Sequence, residues 1–327
     1  MGGERQRGEG RASGKLILLG EHAVVYGVPA LAVGISRGLE ARAWRVAARA
    51  ERSAAPDARP GLDVIGRHTS EDATLAAAYA ALLAAGEPVA GDDLAVRVHG
   101  DLTPGVGLGF SAAAAVAIAR AVESLVHGGA AVPAVQARAM AWERVFHGNP
   151  SGVDTAAALL GGCIRYTRAE GPRPFDPPAC FELCVGFTGT AASTAAMVAR
   201  VAELRNAEPA RFEAELAEVG GLVAQAIAAL ERSELARLGA LLDRNQGLLA
   251  GWGVSTDAID VLCRTARAAG ALGAKLSGSG GGGVVVALVG PGGDDGRAAT
   301  RVLEAWRRLG FGGFRTAVGA GVAEAKE

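Results

Sequence analysis

Residues 103–113 read Thr-Pro-Gly-Val-Gly-Leu-Gly-Phe-Ser-Ala-Ala, a glycine-rich loop that precedes a long alanine-rich run. Glycines at alternate positions allow consecutive backbone N–H groups to turn toward one phosphate, and a helix that starts at Ser111 would add the positive end of its dipole. The loop lacks the Lys-Ser/Thr pair of a Walker A motif, and the third glycine of the dinucleotide fingerprint would fall on Phe110. The stretch predicts either a phosphate cradle or an ordinary glycine turn before a helix.

The bulk composition limits the classes of partner. The chain has 327 residues, half of them hydrophobic, and a formal net charge of −1. That length predicts two domains of ordinary size, and the charge balance gives no basic excess for nucleic acid or an anionic membrane surface. The apolar runs are interrupted well before the roughly 20 residues that a spanning helix needs. We therefore expect a small-molecule partner, with no nucleic acid and no membrane.

The chain start and the cysteines indicate the compartment. Residues 1–14 are rich in Gly, Arg and Glu without an apolar core, so they predict a disordered leader and not a secretory signal. The four cysteines form no CxxC pair of the zinc-site kind. We expect buried, reduced thiols in a cytoplasmic protein.

The order of predicted elements favours an α+β fold. Strands are predicted at 15–19, 30–35, 39–47, 94–99, 161–166, 181–187, 284–289 and 314–318. Helices are predicted at 72–85, 111–126, 133–146, 193–205, 209–231, 234–250, 297–308 and from a Ser255 cap to 269. Residues 167–178 contain four prolines among charged residues and predict a linker. The predicted organisation is a leader at 1–14, an N-terminal lobe at 15–172 and a C-terminal lobe at 173–327.

Three further segments carry chemistry-bearing side chains. Lys15 starts an apolar strand that ends in Glu21 and His22, and charges at the ends of a buried strand should face a polar site. Glu143 lies near the end of a helix, and Asp154 follows a tight turn, where a carboxylate serves either as a metal ligand or as a proton acceptor. Solvated strand ends and a plain turn aspartate are the alternatives.

The third segment, residues 275–283, reads Lys-Leu-Ser-Gly-Ser-Gly-Gly-Gly-Gly. Its glycine spacing satisfies the dinucleotide pattern, but the run precedes a strand instead of opening a helix. It fits better as a backbone loop that a ligand or the other glycine loop approaches closely.

Taken jointly and in this order, the four segments resemble the diagnostic motifs of the GHMP kinases, the superfamily of galactokinase, homoserine kinase, mevalonate kinase and phosphomevalonate kinase. The resemblance covers residues 14 to about 290. Gly-Glu-His-Ala-Val-Val-Tyr-Gly at 20–27 and His-Gly-Asn-Pro-Ser-Gly-Val-Asp at 147–154 are most similar to the mevalonate kinase branch. The resemblance implies a two-lobed GHMP kinase fold, with an N-terminal lobe like ribosomal protein S5 domain 2 and a ferredoxin-like C-terminal lobe.

The resemblance also implies chemistry and residue roles. It implies ATP as phosphoryl donor, Mg²⁺ as cofactor and the 5-hydroxyl of mevalonate as acceptor, in the mevalonate route to isoprenoids. Asp154 matches the catalytic proton acceptor and Lys15 the lysine that orients the hydroxyl and lowers its effective pKa. The remaining matched positions are the Mg²⁺ ligands Ser111 and Glu143, the nucleotide loop Gly105, Val106, Gly107, Leu108, Gly109 and Ser111, and the substrate-side residues Glu21, His22 and Ser151.

One position departs from the family pattern. The family loop usually reads Gly-Leu-Gly-Ser-Ser-Ala-Ala, and Phe110 stands where the first serine is expected. A cradle built from glycine backbone should survive this change. The open alternatives are a GHMP kinase for phosphomevalonate, homoserine or a sugar, and a silent sensor of the same fold; the retained Lys15, Glu143 and Asp154 favour an enzyme. The sequence leaves homodimer formation open.

Overall fold

The computed structural model describes residues 7–46, 60–191, 193–290 and 297–319. The chain forms two compact units, each assembled from separate segments. The first unit contains residues 7–14, Arg37–Leu102 and Gly109–Leu159; the second contains Lys15–Ser36, Thr103–Leu108 and the described residues from 160 onward. Two sheets and helices in both units confirm the α+β class. The predicted lobe boundary at 172/173 stays a prediction.

The elements follow the predicted order closely. The strands are β1 (Arg7–Leu19), β2 (Ala30–Arg45), β3 (Gly61–Val64), β4 (Arg67–His68), β5 (Leu94–Gly100), β6 (Cys163–Thr167), β7 (Gly171–Phe175), β8 (Phe181–Phe187), β9 (Gly273–Ser277), β10 (Val284–Val289) and β11 (Gly313–Val318). The helices are α1 (Ala73–Ala84), α2 (Phe110–His127), α3 (Val132–His147), α4 (Val153–Leu160), α5 (Thr194–Ala207), α6 (Pro209–Glu231), α7 (Leu235–Gly251), α8 (Asp257–Ala268) and α9 (Arg297–Arg308). A 3₁₀ helix spans Ala23–Tyr26.

The first unit packs helices against twisted strands. The second half of β2 pairs antiparallel with β5, β5 pairs parallel with β3, and β3 pairs antiparallel with β4. Ala41 and Ala43 on β2 lie opposite Val98 and Val96 on β5, and all four are buried because alternate strand residues share one face. Helix α2 is long and apolar enough by composition to cross a membrane, but 67% of it is buried inside the protein.

The start of β1 corrects the predicted leader. Residues 7–14 are strand, with Gly8, Gly10, Ala12 and Gly14 buried and the residues between them largely exposed. A Cβ at Gly10 would lie 2.1 Å from the carbonyl oxygen of Ala117 on α2, so only glycine allows the strand to approach the helix backbone. The prediction was wrong because glycine is common both in disordered chains and at close backbone contacts. Residues 1–6 of the predicted leader lie outside the described residues.

The second unit contains a four-stranded antiparallel sheet in the order β11-β8-β10-β9. The chain supplies these strands in the sequence strand, helices, strand, strand, helix, strand, which is the split βαβ arrangement of a ferredoxin-like fold. The ferredoxin-like prediction is therefore confirmed. Strand β10 is buried throughout, as expected for a central strand.

Several local predictions need correction. The predicted linker at 167–178 contains β7, which pairs antiparallel with β6, because Pro172 and Pro174 can occupy an edge strand. The predicted strands at 30–35 and 39–47 are one strand, β2. Thr256, and not Ser255, caps α8: its hydroxyl accepts the N–H of Ile259, while the Ser255 hydroxyl donates to Asp260. Three cysteine thiols are buried, but Cys180 is exposed.

Candidate active site

The glycine loop at 103–109 has the backbone that a phosphate cradle requires. Gly105, Gly107 and Gly109 have φ angles of 76°, 88° and 76°, a left-handed region that glycine adopts without a Cβ clash. Gly105 and Gly107 are exposed, so their N–H groups are open to a ligand. Gly109 is the N-cap of α2, and no side chain caps the helix end. The four N-terminal N–H groups of α2 therefore carry the positive end of its dipole.

The second glycine loop, residues 278–283, lies beside the segment 103–108 within the second unit. A Cβ at Gly283 would come within 3.3 Å of the carbonyl oxygen of Val106, and a Cβ at Gly107 within 3.7 Å of that of Ser277. The loop connects β9 to β10, and the N–H groups of Gly281 and Gly283 donate to the carbonyls of Val254 and Thr190 at 2.7 and 2.8 Å. The prediction of a backbone loop approached by the other glycine loop is confirmed.

Ser111 and Glu143 are neighbours in the first unit. The Ser111 hydroxyl, in the first turn of α2, donates to the Oε1 atom of Glu143 near the end of α3. The indole N–H of Trp142 donates to the same hydroxyl at 3.1 Å, and His147 Nε2 lies 3.7 Å from Glu143 Oε2. Glu143 is only 3% exposed. The structure thus brings together a hydroxyl and a carboxylate that sequence had matched to one metal site.

Asp154 occupies the first turn of α4 and is half-buried. It was predicted to follow a tight turn, and Gly152 with φ of 88° supplies that turn directly before the helix. The hydroxyl of Ser151 accepts the N–H of Val153 at 3.5 Å. A helix N-terminus favours negative charge, so this position suits a carboxylate.

Lys15, Glu21 and His22 are all buried in the second unit. The backbone N–H of Lys15 donates to the carbonyl of Leu108 at 2.9 Å, which ties β1 to the glycine loop. His22 has a positive φ of 59°, and its Nε2 lies 2.8 Å from the carbonyl oxygen of Ser279. Burial is the main cause that lowers the pKa of His22, so the ring tends toward the neutral form.

The partners of Glu21 were not predicted. Lys275 on β9 donates through Nζ to Glu21 Oε1, and Asn245 on α7 donates through Nδ2 to Glu21 Oε2 at 3.3 Å. Burial raises the pKa of the Glu21 carboxyl, and the charge of Lys275 opposes that rise. Burial likewise lowers the pKa of Lys275, opposed by Glu21. A lysine in the middle of an otherwise apolar strand was the available sequence signal for this pair.

The predicted residues fall into groups by unit. Ser111, Glu143, Ser151 and Asp154 belong to the first unit, whereas Lys15, Glu21, His22 and residues 105–108 belong to the second. Within the first unit, Ser111 contacts Glu143 directly. Within the second, burial is the main cause of the pKa shifts of Glu21 and Lys275, and the charge of Lys15 makes a smaller contribution to both.

Two models of one protein family match separate parts of this chain. The model for the GHMP kinases N terminal domain matches residues 73–162, and the model for the GHMP kinases C terminal region matches residues 226–311. A mevalonate kinase of Thermococcus gammatolerans is 36% identical over 300 residues, covering 85% of this chain and 87% of that protein. A mevalonate kinase of Aeropyrum pernix is 32% identical, covering 87% of this chain and 89% of that protein.

A solved structure extends the likeness to three dimensions. The crystal structure of L. major mevalonate kinase in complex with R-mevalonate matches with a TM-score of 0.83 and 31% identity. The match covers 97% of this chain and 98% of that one. The backbone is therefore similar along nearly the whole length of both chains.

Proposed function

This chain belongs to the GHMP kinase family, and we propose that it transfers the γ-phosphoryl group of ATP to the 5-hydroxyl of mevalonate. One observation carries the proposal: its relatives along most of the chain are mevalonate kinases, and one of them was solved with R-mevalonate bound. The products are ADP and a phosphate monoester. The local geometry supports each part of this reaction separately.

The nucleotide phosphates bind at the loop 105–109 and the start of α2. Exposed glycine N–H groups and the uncapped helix end supply hydrogen bonds and positive potential without a side chain. Phe110 replaces a hydroxyl-bearing residue of the family pattern, so backbone donors and the Ser111 hydroxyl carry the recognition. These donors fit the charge of a triphosphate.

The residues Ser111 and Glu143 fit a magnesium ion. Mg²⁺ in kinases is held by one or two protein oxygens together with substrate phosphates, and here a hydroxyl and a buried carboxylate already touch at the helix end where phosphates bind. Among the described residues there is no cluster of three or more His, Cys, Asp or Glu that would suit a metal held by protein alone. When bound, Mg²⁺ would neutralise charge that develops on the β- and γ-phosphates.

Asp154 and Lys15 act on the acceptor hydroxyl. The hydroxyl oxygen attacks the γ-phosphorus, the bond to the bridging β–γ oxygen breaks, and the hydroxyl proton passes to the Asp154 carboxylate. The ammonium of Lys15 orients the hydroxyl and stabilises the charge that builds on its oxygen. Glu21, His22 and Ser151 line the substrate side and set which alcohol is accepted.

Product formation by the purified chain tests the proposal. ADP release is measured with Mg²⁺ and ATP and with (R)-mevalonate, 5-phosphomevalonate, homoserine or galactose as acceptor. We expect turnover with mevalonate and a loss of at least 100-fold in kcat for Asp154→Asn, the usual scale of a lost general base. Nucleotide binding by this variant should be unchanged.

One control variant and one variant of the magnesium site make the result specific. Asp92→Asn removes an exposed aspartate of the same unit and should turn over like the wild type. Glu143→Gln should raise the Mg²⁺ concentration that gives half-maximal rate. Turnover with another acceptor only would keep the family chemistry and refute mevalonate, whereas silence with all four acceptors would favour a sensor that has lost the reaction.

A further inference from the structure

Three alternate residues of β9 and the loop after it, Lys275, Ser277 and Ser279, form hydrogen bonds with residues at the end of β1 and just beyond it. The Ser277 hydroxyl accepts the N–H of Ile17 at 2.9 Å and donates to its carbonyl at 3.0 Å. Two residues earlier Lys275 bonds Glu21, and two residues later the Ser279 carbonyl meets His22. Because alternate residues of a strand share one face, the polar groups of these residues all lie on the side that meets the segment 17–22.

The Lys275–Glu21 pair is almost completely buried. Lys275 is 0% exposed and Glu21 is 2% exposed. Replacing such a pair by apolar side chains of similar volume is often neutral or stabilising, because desolvation offsets the attraction between the charges. The pair therefore adds little net stability over an apolar substitute, and what it does supply is a carboxyl group held in a fixed position.

Asn245 points to the same conclusion. It is 1% exposed, and its Oδ1 has no hydrogen-bond partner among the residues that the structure describes. An unsatisfied buried acceptor costs free energy, which an apolar side chain at this position would avoid. The gain from Asn245 is the hydrogen bond from its Nδ2 to the second oxygen of Glu21.

We propose that Lys275 and Asn245 are positioning residues that hold the Glu21 carboxyl group in one orientation on the substrate side of the site. This inference rests on the proposed function, since Glu21 is given a substrate role there. Each carboxylate oxygen has its own donor, from β9 and from α7, so the carboxylate cannot rotate without breaking both bonds. Glu21 thereby has a fixed position in a site that must discriminate among small alcohols.

The groups around Glu21 determine its response to pH. Lys15 on β1 favours the ionised carboxylate, His22 follows it directly, and Cys263 on α8 faces Lys275. Burial is the largest cause acting on the pKa of Glu21, and without Lys275 it is opposed only by a backbone hydrogen bond to the carboxylate and by the charge of Lys15. The pKa of Glu21 should then rise further, so the carboxylate ionises only as pH increases.

The test compares Lys275→Met, Glu21→Gln and the double variant with wild type from pH 6 to 9.5. The readout is kcat/KM for (R)-mevalonate as a ratio to wild type, so that groups common to both proteins cancel. For Lys275→Met we expect kcat/KM at pH 7 to be at least tenfold below wild type. This deficit should shrink as pH rises and Glu21 ionises, by up to about tenfold per pH unit. Glu21→Gln should show a loss that does not depend on pH.

The double variant separates positioning from stability. Removing both charges should return the melting temperature toward wild type while kcat/KM stays as low as in Glu21→Gln. Arg138→Met breaks the buried Arg138–Glu123 pair of the first unit and serves as the matched control. It should lower the melting temperature and leave the pH dependence of kcat/KM unchanged.

Asn245→Leu tests the proposal independently if Lys275→Met fails to fold. We expect a melting temperature equal to or above that of wild type, together with a rise in KM for mevalonate. Recovery of activity in the double variant, a pH-independent loss in Lys275→Met, or wild-type kinetics in Asn245→Leu would overturn the inference. Absence of mevalonate turnover in the wild type would instead refute the proposed function.

Discussion

Gly10→Ala should destabilise the protein strongly, although the change adds one methyl group to an N-terminal segment. The added Cβ would lie 2.1 Å from the carbonyl oxygen of Ala117 and 2.6 Å from the amide nitrogen of Ala121, where ordinary contacts begin near 3.4 Å. Both atoms belong to the backbone of α2, which is 67% buried and, unlike a flexible side chain, cannot rotate aside. The strand must therefore move away from the helix by about 1 Å or more.

The expected magnitude follows from overpacking of a rigid core. Such substitutions cost about 1–3 kcal/mol, and a clash with backbone instead of a flexible side chain places this one near 3 kcal/mol. For a chain of this size that corresponds to a fall of about 4 °C in melting temperature. Thermal unfolding followed by circular dichroism measures the shift, and amide exchange of residues 7–14 shows whether the strand itself has loosened.

Gly247→Ala is the matched control. Gly247 is an exposed residue of α7, and a Cβ there would meet no atom within 4 Å. Because glycine weakens a helix interior, this variant should gain about 0.5–1 kcal/mol. If Gly10→Ala melted like wild type, the close approach of β1 to α2 would be refuted and residues 7–14 would be the loose leader that composition suggests.

Two further predictions concern buried polar and thiol groups. Arg138 is 1% exposed and donates to Glu123 and to the carbonyls of Leu82, Leu83 and Glu87. Arg138→Met should therefore cost about 3–5 kcal/mol in urea unfolding, partly restored by adding Glu123→Leu, and an additive double variant would contradict this. Burial raises the pKa of the Cys163, Cys184 and Cys263 thiols to about 12, so they stay protonated below that pH. At pH 8 iodoacetamide should label native protein once, at exposed Cys180, and urea-unfolded protein four times; rapid labelling of two or more native sites would refute the assigned burial.

Local signals allowed most elements of the fold to be predicted. Apolar periodicity and glycine or proline boundaries located the long helices, for example α3 with its first-turn proline. Strand β9 was missed, because its five residues are all buried and include Lys275, which masks the apolar pattern. Gly8 and Gly10 led to the wrong prediction of a disordered leader for a different reason. The sequence does not show that the backbone of α2 lies about 2 Å from the position that a Cβ at either glycine would occupy.

Site residues that belong to a recognisable sequence motif could be predicted. Residues that act through a hydrogen-bond partner far away in the sequence could not. Ser111 and Glu143 are 32 residues apart, yet each lies in its own motif, so both were found. Asn245 and Lys275 lie 224 and 254 residues from Glu21, and neither belongs to a pattern that names its partner. Only the folded chain shows that both serve one carboxylate.

The segmented make-up of the second unit affects how the chain folds during synthesis. Residues 15–36 leave the ribosome early, but the Glu21–Lys275 hydrogen bond closes only after a further 254 residues. At about 5–20 residues per second that delay is roughly 13–50 s. The segments of the first unit are complete by residue 159, so that unit can form before Ser277 is available to Ile17. The hydrogen bonds between Ser277 and Ile17 therefore form only late in synthesis, long after β1 and its sheet neighbour β2 have left the ribosome.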